Sequence, residues 1–118
     1  MSRPTDCITV PEAKTLQANW MANQAADIAS AQGAPDSCAV TFNIDQLQQF
    51  INYVKAESQD KGILAPGIRV YFASKVGQLS GNATVFLCAA ESDNANSNNN
   101  YNIDPLNKGN SGWPPNAY

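Results

Sequence analysis

Apolar positions repeat along this chain with two different periods. From Thr9 onward they recur as Val10, Ala13, Leu16, Trp20, Ala25, Ile28 and Ala29, close to the period of a helix. Thr9 and Glu12 have the spacing of a capping box. Pro11 sits in the first turn, where its missing N–H costs nothing. Nothing breaks the pattern before Gly33-Ala34-Pro35-Asp36, so the spacing predicts one helix over about residues 10–31. A second helix is predicted in IDQLQQFINYVKAESQ, where Ile44, Leu47, Phe50, Ile51 and Val54 form one stripe. Asn43 is its N-cap, with Gln46 three residues on, and Lys61-Gly62 ends it.

The remaining apolar positions alternate. Cys38, Val40 and Phe42 do so in SCAVTFN, a short strand. In GIRVYFAS, Ile68, Val70 and Phe72 face one way, and Arg69, Tyr71 and Ala73 the other. ATVFLCAA is a third strand and is apolar on both faces, joined to the second by the polar, Gly-bearing SKVGQLSGNA. The order αβαββ predicts an α+β domain over residues 1–92, with two helices packed on a small, mainly antiparallel three-stranded sheet. Residues 93–118 read as an Asn-rich extension with aromatic residues at its end.

The two-faced third strand needs a cover on each side, because large exposed apolar patches are rare on monomers. The extension supplies candidate covering groups in Ile103, Pro105, Leu106, Trp113, Pro114 and Pro115. The helices divided between the two faces, or a second subunit, would serve as well. Trp and Tyr are typical anchors of protein interfaces. The candidate interface residues are therefore Tyr71, Phe86, Tyr101, Leu106, Trp113, Pro114, Pro115 and Tyr118.

Composition narrows the function classes. The chain has 43% hydrophobic and only 14% charged residues, so Asn, Gln and Ser make up much of its polar share. Such a surface opposes self-association less than a charged one. The net charge is −3 and the seven Lys and Arg are scattered, which argues against nucleic-acid binding. No apolar run reaches membrane-spanning length, and MSRPTDCITV has no secretory signal pattern, so a cytoplasmic protein is expected.

Catalytic and metal-binding groups are sparse. There is no histidine, which removes the commonest general base and the commonest metal ligand. Cys7, Cys38 and Cys88 are widely spaced and read as reduced, apolar thiols; a Cys38–Cys88 bridge stays open if the protein is secreted. Glu91, Asp93 and Asp104 flank the Asn-rich run as solvated acids, and the run lacks the register of a calcium loop. Nucleotide-binding glycine motifs are absent. No cofactor, metal site or enzymatic activity is expected. Arg69 interrupts an apolar strand and is either paired with a nearby acid, turned to solvent, or a ligand contact.

ITVPEAKTL, GIRVYFASK and TVFLCAA together resemble a family of small uncharacterised bacterial proteins with an N-terminal Glu-Ala-Lys helix and a Gly-Ile-Arg-Val-Tyr core strand. The resemblance covers about residues 8–90 and leaves out the Asn-rich run. It implies no activity and transfers no functional residue.

The sequence thus points to a structural or interaction protein. It would self-associate, as a ring or filament subunit for example, or dock a protein partner through its C-terminal extension. The alternative is a small-ligand-binding or regulatory domain with a pocket near Arg69 and Tyr71.

Overall fold

Thr9 opens the first helix as its spacing demands. Its hydroxyl accepts from the N–H of Glu12 at 3.2 Å, and the Glu12 carboxylate accepts from the N–H of Thr9 at 2.8 Å. The computed structural model describes residues 1–75, 83–112 and 118. In it, α1 runs over Val10–Ala22 and α2 over Gln24–Gln32. The single helix expected over 10–31 is therefore two. Asn23 breaks it with φ −113° and ψ −83°, and its side-chain amide donates to the Asn19 carbonyl at 2.8 Å. That local bond offers the backbone an alternative to the helical ladder. Gly33 closes α2 in the left-handed conformation, φ 80°.

Neither α1 nor α2 contributes a buried residue, and Val10 and Leu16 are more than half exposed. Much of their apolar stripe is alanine, which buries too little area to hold a helix on a sheet. The packing helix is α3, Ile44–Asp60. The Asn43 carboxamide oxygen caps it by accepting from Asp45 N–H at 2.9 Å and Gln46 N–H at 3.0 Å. Phe50, Val54 and Ser58 are its buried residues, spaced four apart on one face. Ile44, the first residue of the expected stripe, stays exposed at the helix end.

The strands are β1, Ala39–Thr41; β2, Gly67–Ser74; β3, Ala83–Ala90; and β4, Asn110–Gly112. β2 and β3 pair antiparallel from Gly67↔Ala90 to Ser74↔Ala83. β1 does not join them as a third strand; it pairs with β4, Ala39 opposite Gly112. The approach to β4 is close. A Cβ on Gly109 would run into the side chains of Val40 and Phe42. The α+β class and the expected element order hold, with the sheet built as two ribbons rather than one.

After β3 the chain turns back along the outer edge of that strand. Leu87 and Leu106 exchange backbone hydrogen bonds of 2.9 Å, Asn100 N–H donates to Ala89 at 2.9 Å, and Glu91 N–H donates to Asn98 at 3.0 Å. Ile103 is thereby carried into the core, where it joins Phe50, Val54, Leu87 and Ala89, flanked by Phe42, Leu47 and Leu106. The Asn-rich run reaches this position through short side-chain turns. Asn94 and Asn100 each accept, through their side-chain oxygen, the N–H two residues on. Among the described residues no helix is long and apolar enough to cross a membrane.

Candidate functional site

The β2–β3 hairpin has two faces of different chemistry. On the first, the register sets Arg69 opposite Cys88 and Tyr71 opposite Phe86. The Tyr71 and Phe86 rings stack with centroids 5.2 Å apart. The Asn94–Asn99 loop folds over this face and is tied to Arg69. One guanidinium nitrogen donates to the Ser97 carbonyl at 3.0 Å and to Asn99 Oδ1 at 2.5 Å. The other donates to the carbonyls of Asn94 and Ala95 and to Ser97 Oγ, at 3.2–3.3 Å. All these acceptors are neutral, so Arg69 organises its own loop rather than pairing with an acid.

Asn99 is the hub of the cover. Its carboxamide oxygen also accepts from the Cys88 thiol at 3.6 Å, and its nitrogen donates to Tyr71 Oη at 2.8 Å and Tyr101 Oη at 3.3 Å. Burial pushes the Cys88 thiol above its ordinary pKa, and the nearby Arg69 charge opposes that rise. A thiol so placed is a poor nucleophile. All three cysteines are free. Among the described residues no cluster of His, Cys, Asp and Glu is able to hold a metal ion.

The second face is only half covered. Leu87 and Ala89 lie buried beneath α3, but their β2 partners Val70 and Ile68 are 52% and 40% exposed. Phe72 is 92% exposed, and Leu64, in the turn before β2, is 90% exposed. A half-open groove of about 410 Å³ separates α3 from the start of β2, lined by Ile51, Val54, Lys55, Gln59, Leu64 and Ile68.

The backbone of β2 is open along the same side. Leu87 directs its N–H and C=O to Leu106, and Ala89 its C=O to Asn100, both away from β2. In an antiparallel ladder the directions alternate, so Val70↔Leu87, Ile68↔Ala89 and Phe72↔Val85 are the non-hydrogen-bonded pairs. The N–H and C=O of Ile68, Val70 and Phe72 therefore point outward. Among the described residues no strand pairs with that edge.

Comparison with protein-family models, with characterised proteins and with solved structures finds no match to this chain. The resemblance carried by ITVPEAKTL and GIRVYFASK accordingly has nothing to be checked against, and the site is argued from its geometry.

Of the expected interface residues, Tyr71 and Phe86 are brought together under the Asn94–Asn99 loop, and Leu106 is half-buried against β3. Tyr101 and Tyr118 are exposed. Trp113, Pro114 and Pro115 lie outside the described residues. The two residues expected to line a ligand pocket, Arg69 and Tyr71, are both hydrogen-bonded to Asn99. The exposed residues that alternation does not single out are Leu64, Ile68, Val70 and Phe72. Their pattern reads as a core face. The available signal is the lack of proline and of any charge but Arg69 in GIRVYFAS, since a solvent-facing edge normally carries such protection.

Proposed function

We propose that this protein is a non-enzymatic interaction module that self-associates, and that its docking surface is the free edge and exposed apolar face of β2. The carrying observation is the asymmetry of the hairpin. The chain's own residues 98–106 line the outer edge of β3, while Ile68, Val70 and Phe72 leave side chains and backbone groups open on β2. Unpaired edges with apolar side chains are templates for another chain. The extension has a lesser part in this reading, because Ile103 and Leu106 pack on the chain's own α3 and β3. Tyr101 and Tyr118 remain exposed for a rim contact. Three free thiols support a reducing, cytoplasmic setting.

The test is the solution mass of the full-length protein across a concentration series. A mass that rises above one chain supports the module; a single-chain mass at every concentration refutes self-association. The alternative, a small-ligand domain with a pocket near Arg69 and Tyr71, is favoured by one observation: the Asn94–Asn99 loop closes over both residues. A ligand there has to displace loop carbonyls from the guanidinium. An Arg69→Ala change would then abolish the thermal stabilisation given by any hit from a metabolite panel.

A further inference from the structure

We propose that two copies of this chain pair antiparallel through β2, with the two-fold axis at Val70; this rests on the self-association reading above and specifies its geometry. Two features favour that register, and a third favours the surface.

The first is hydrogen bonding. Ile68, Val70 and Phe72 direct N–H and C=O outward beneath exposed apolar side chains; Ser74 faces outward by the same alternation but already has an interaction of its own, so the three apolar residues are the ones that form the hydrogen-bonded pairs of the new ladder. An axis at Val70 pairs all three, Val70 with Val70 of the second copy and Ile68 with Phe72 in both directions. Each pair exchanges two bonds. Moving the axis along the strand in either direction leaves at least one of the three without another of the three opposite it.

The second is the side chains. Residues directly opposite in an antiparallel pair share a face. The same axis sets Ile68 and Phe72 side by side across the seam and continues one apolar face through both copies. A shift of one residue would mix it with the Arg69–Tyr71 face. On that opposite face Arg69 comes to lie across from Tyr71 of the second copy, not across from a second Arg69. The only charge of β2 thus meets an aromatic ring rather than a like charge.

The third is area. Leu64, Ile68, Val70 and Phe72 are 90%, 40%, 52% and 92% exposed. At roughly 150–200 Å² for a whole large side chain they present on the order of 500 Å² of apolar surface. That lies in the range of about 300–600 Å² seen for the largest patch of a monomer, which is often functional. With the backbone edge it approaches the roughly 800 Å² that one partner contributes to a standard interface.

The experiment uses the full-length chain. Phe72→Lys places a charge on the seam at a side chain that touches little of its own domain, so the hairpin stays folded by circular dichroism while association weakens by at least about tenfold. Val70→Pro is the second variant. The Val70 N–H takes no part in the β2–β3 ladder, so proline removes only an outward bond. Register is read by cysteine cross-linking in a Cys7→Ser, Cys38→Ser background. Hydrogen-bonded partners have Cα atoms about 5.5 Å apart, within disulfide reach. Val70→Cys therefore links to itself. Ile68→Cys does not, being about 14 Å from its own copy, yet links to Phe72→Cys when the two chains are mixed.

A wild-type protein that associates while Val70→Cys gives no cross-linked dimer overturns the pairing about Val70 and leaves self-association to another register or surface. So does association undiminished by both Phe72→Lys and Val70→Pro. A wild-type protein that keeps the mass of one chain at every concentration overturns both the pairing and the reading beneath it.

Discussion

Arg69 and Asn99, thirty residues apart in sequence, share a hydrogen bond of 2.5 Å that fastens the Asn-rich loop to β2. The loop has no buried apolar anchor of its own between Asp93 and Asn99. Its order rests on the guanidinium and on Asn99. Arg69→Ala is therefore expected to cost about 1.5–3 kcal/mol, the range for hydrogen bonds to a charged group. Hydrogen exchange should quicken at Asn94–Asn99 before it quickens in β3. Arg69→Lys should restore little, because an ammonium is a point charge and does not span the separated acceptors as a planar fork does. Denaturant unfolding of the two variants reads this directly.

Ile103 makes the extension part of the core. It is 3% exposed among Phe50, Val54, Leu87 and Ala89. Ile103→Ala is expected to lose roughly 2–4 kcal/mol, as for other large-to-small changes in a packed core. Deleting residues 101–118 removes Ile103 and Leu106 together and uncovers the backbone of Leu87. The deletion should then unfold or aggregate the protein rather than trim a tail, as measured by its melting transition and its solubility.

How far the fold was legible follows from which signals are local. GIRVYFAS and ATVFLCAA have the alternation of strands, and both strands fall there. Asn43 and the Leu47-Phe50-Ile51-Val54 stripe place α3. By contrast, Asn110-Ser111-Gly112 has no alternation, and β4 exists only because β1 lies beside it. Asn98–Leu106 reads as polar low complexity. Its structure comes from side-chain turns and from the edge of the preceding strand, between Glu91–Asn98 and Leu87–Leu106, which no apolar pattern along the chain reveals. The exposed edge was hidden for a related reason. Alternation tells which residues share a face, not whether a helix is wide enough to cover them all.

Asn43 and Thr9 cap helices with different duties, and their removal should separate. Asn43→Ala is expected to lower global stability by about 1 kcal/mol, because α3 carries the core. Thr9→Ala breaks a complete capping box on a helix that buries nothing. Its effect should appear as lost helical circular dichroism and faster exchange in Val10–Ala22. The unfolding free energy of the core should change by less than about 0.5 kcal/mol.

Ser58 is 1% exposed on the packed face of α3, and its hydroxyl has no hydrogen-bond partner among the described residues. A buried polar group without a partner is destabilising, and alanine is the better helix former. Ser58→Ala is therefore expected to raise stability by about 0.5–1 kcal/mol in denaturant unfolding. Ser58→Val keeps the apolar gain but adds branched bulk at a fully packed position, and should fall below Ser58→Ala.

Cys88 and Cys7 should differ in reactivity and in their effect on pH dependence. Cys7 is exposed, whereas Cys88 is buried beneath the Asn99 carboxamide. A thiol reagent should modify Cys7 quickly and reach Cys88 only through opening of the Asn94–Asn99 loop, so Arg69→Ala should speed Cys88 labelling selectively. Burial raises the Cys88 pKa in the folded state, against the opposing Arg69 charge. The neutral thiol's contribution is then fully present below the unfolded value of about 8.5 and is lost as pH rises through the folded value. Cys88→Ala should flatten that alkaline decline while costing packing at every pH. Stability measured from pH 7 to 10 in both proteins decides it: an equally steep decline without Cys88 assigns the loss to other groups.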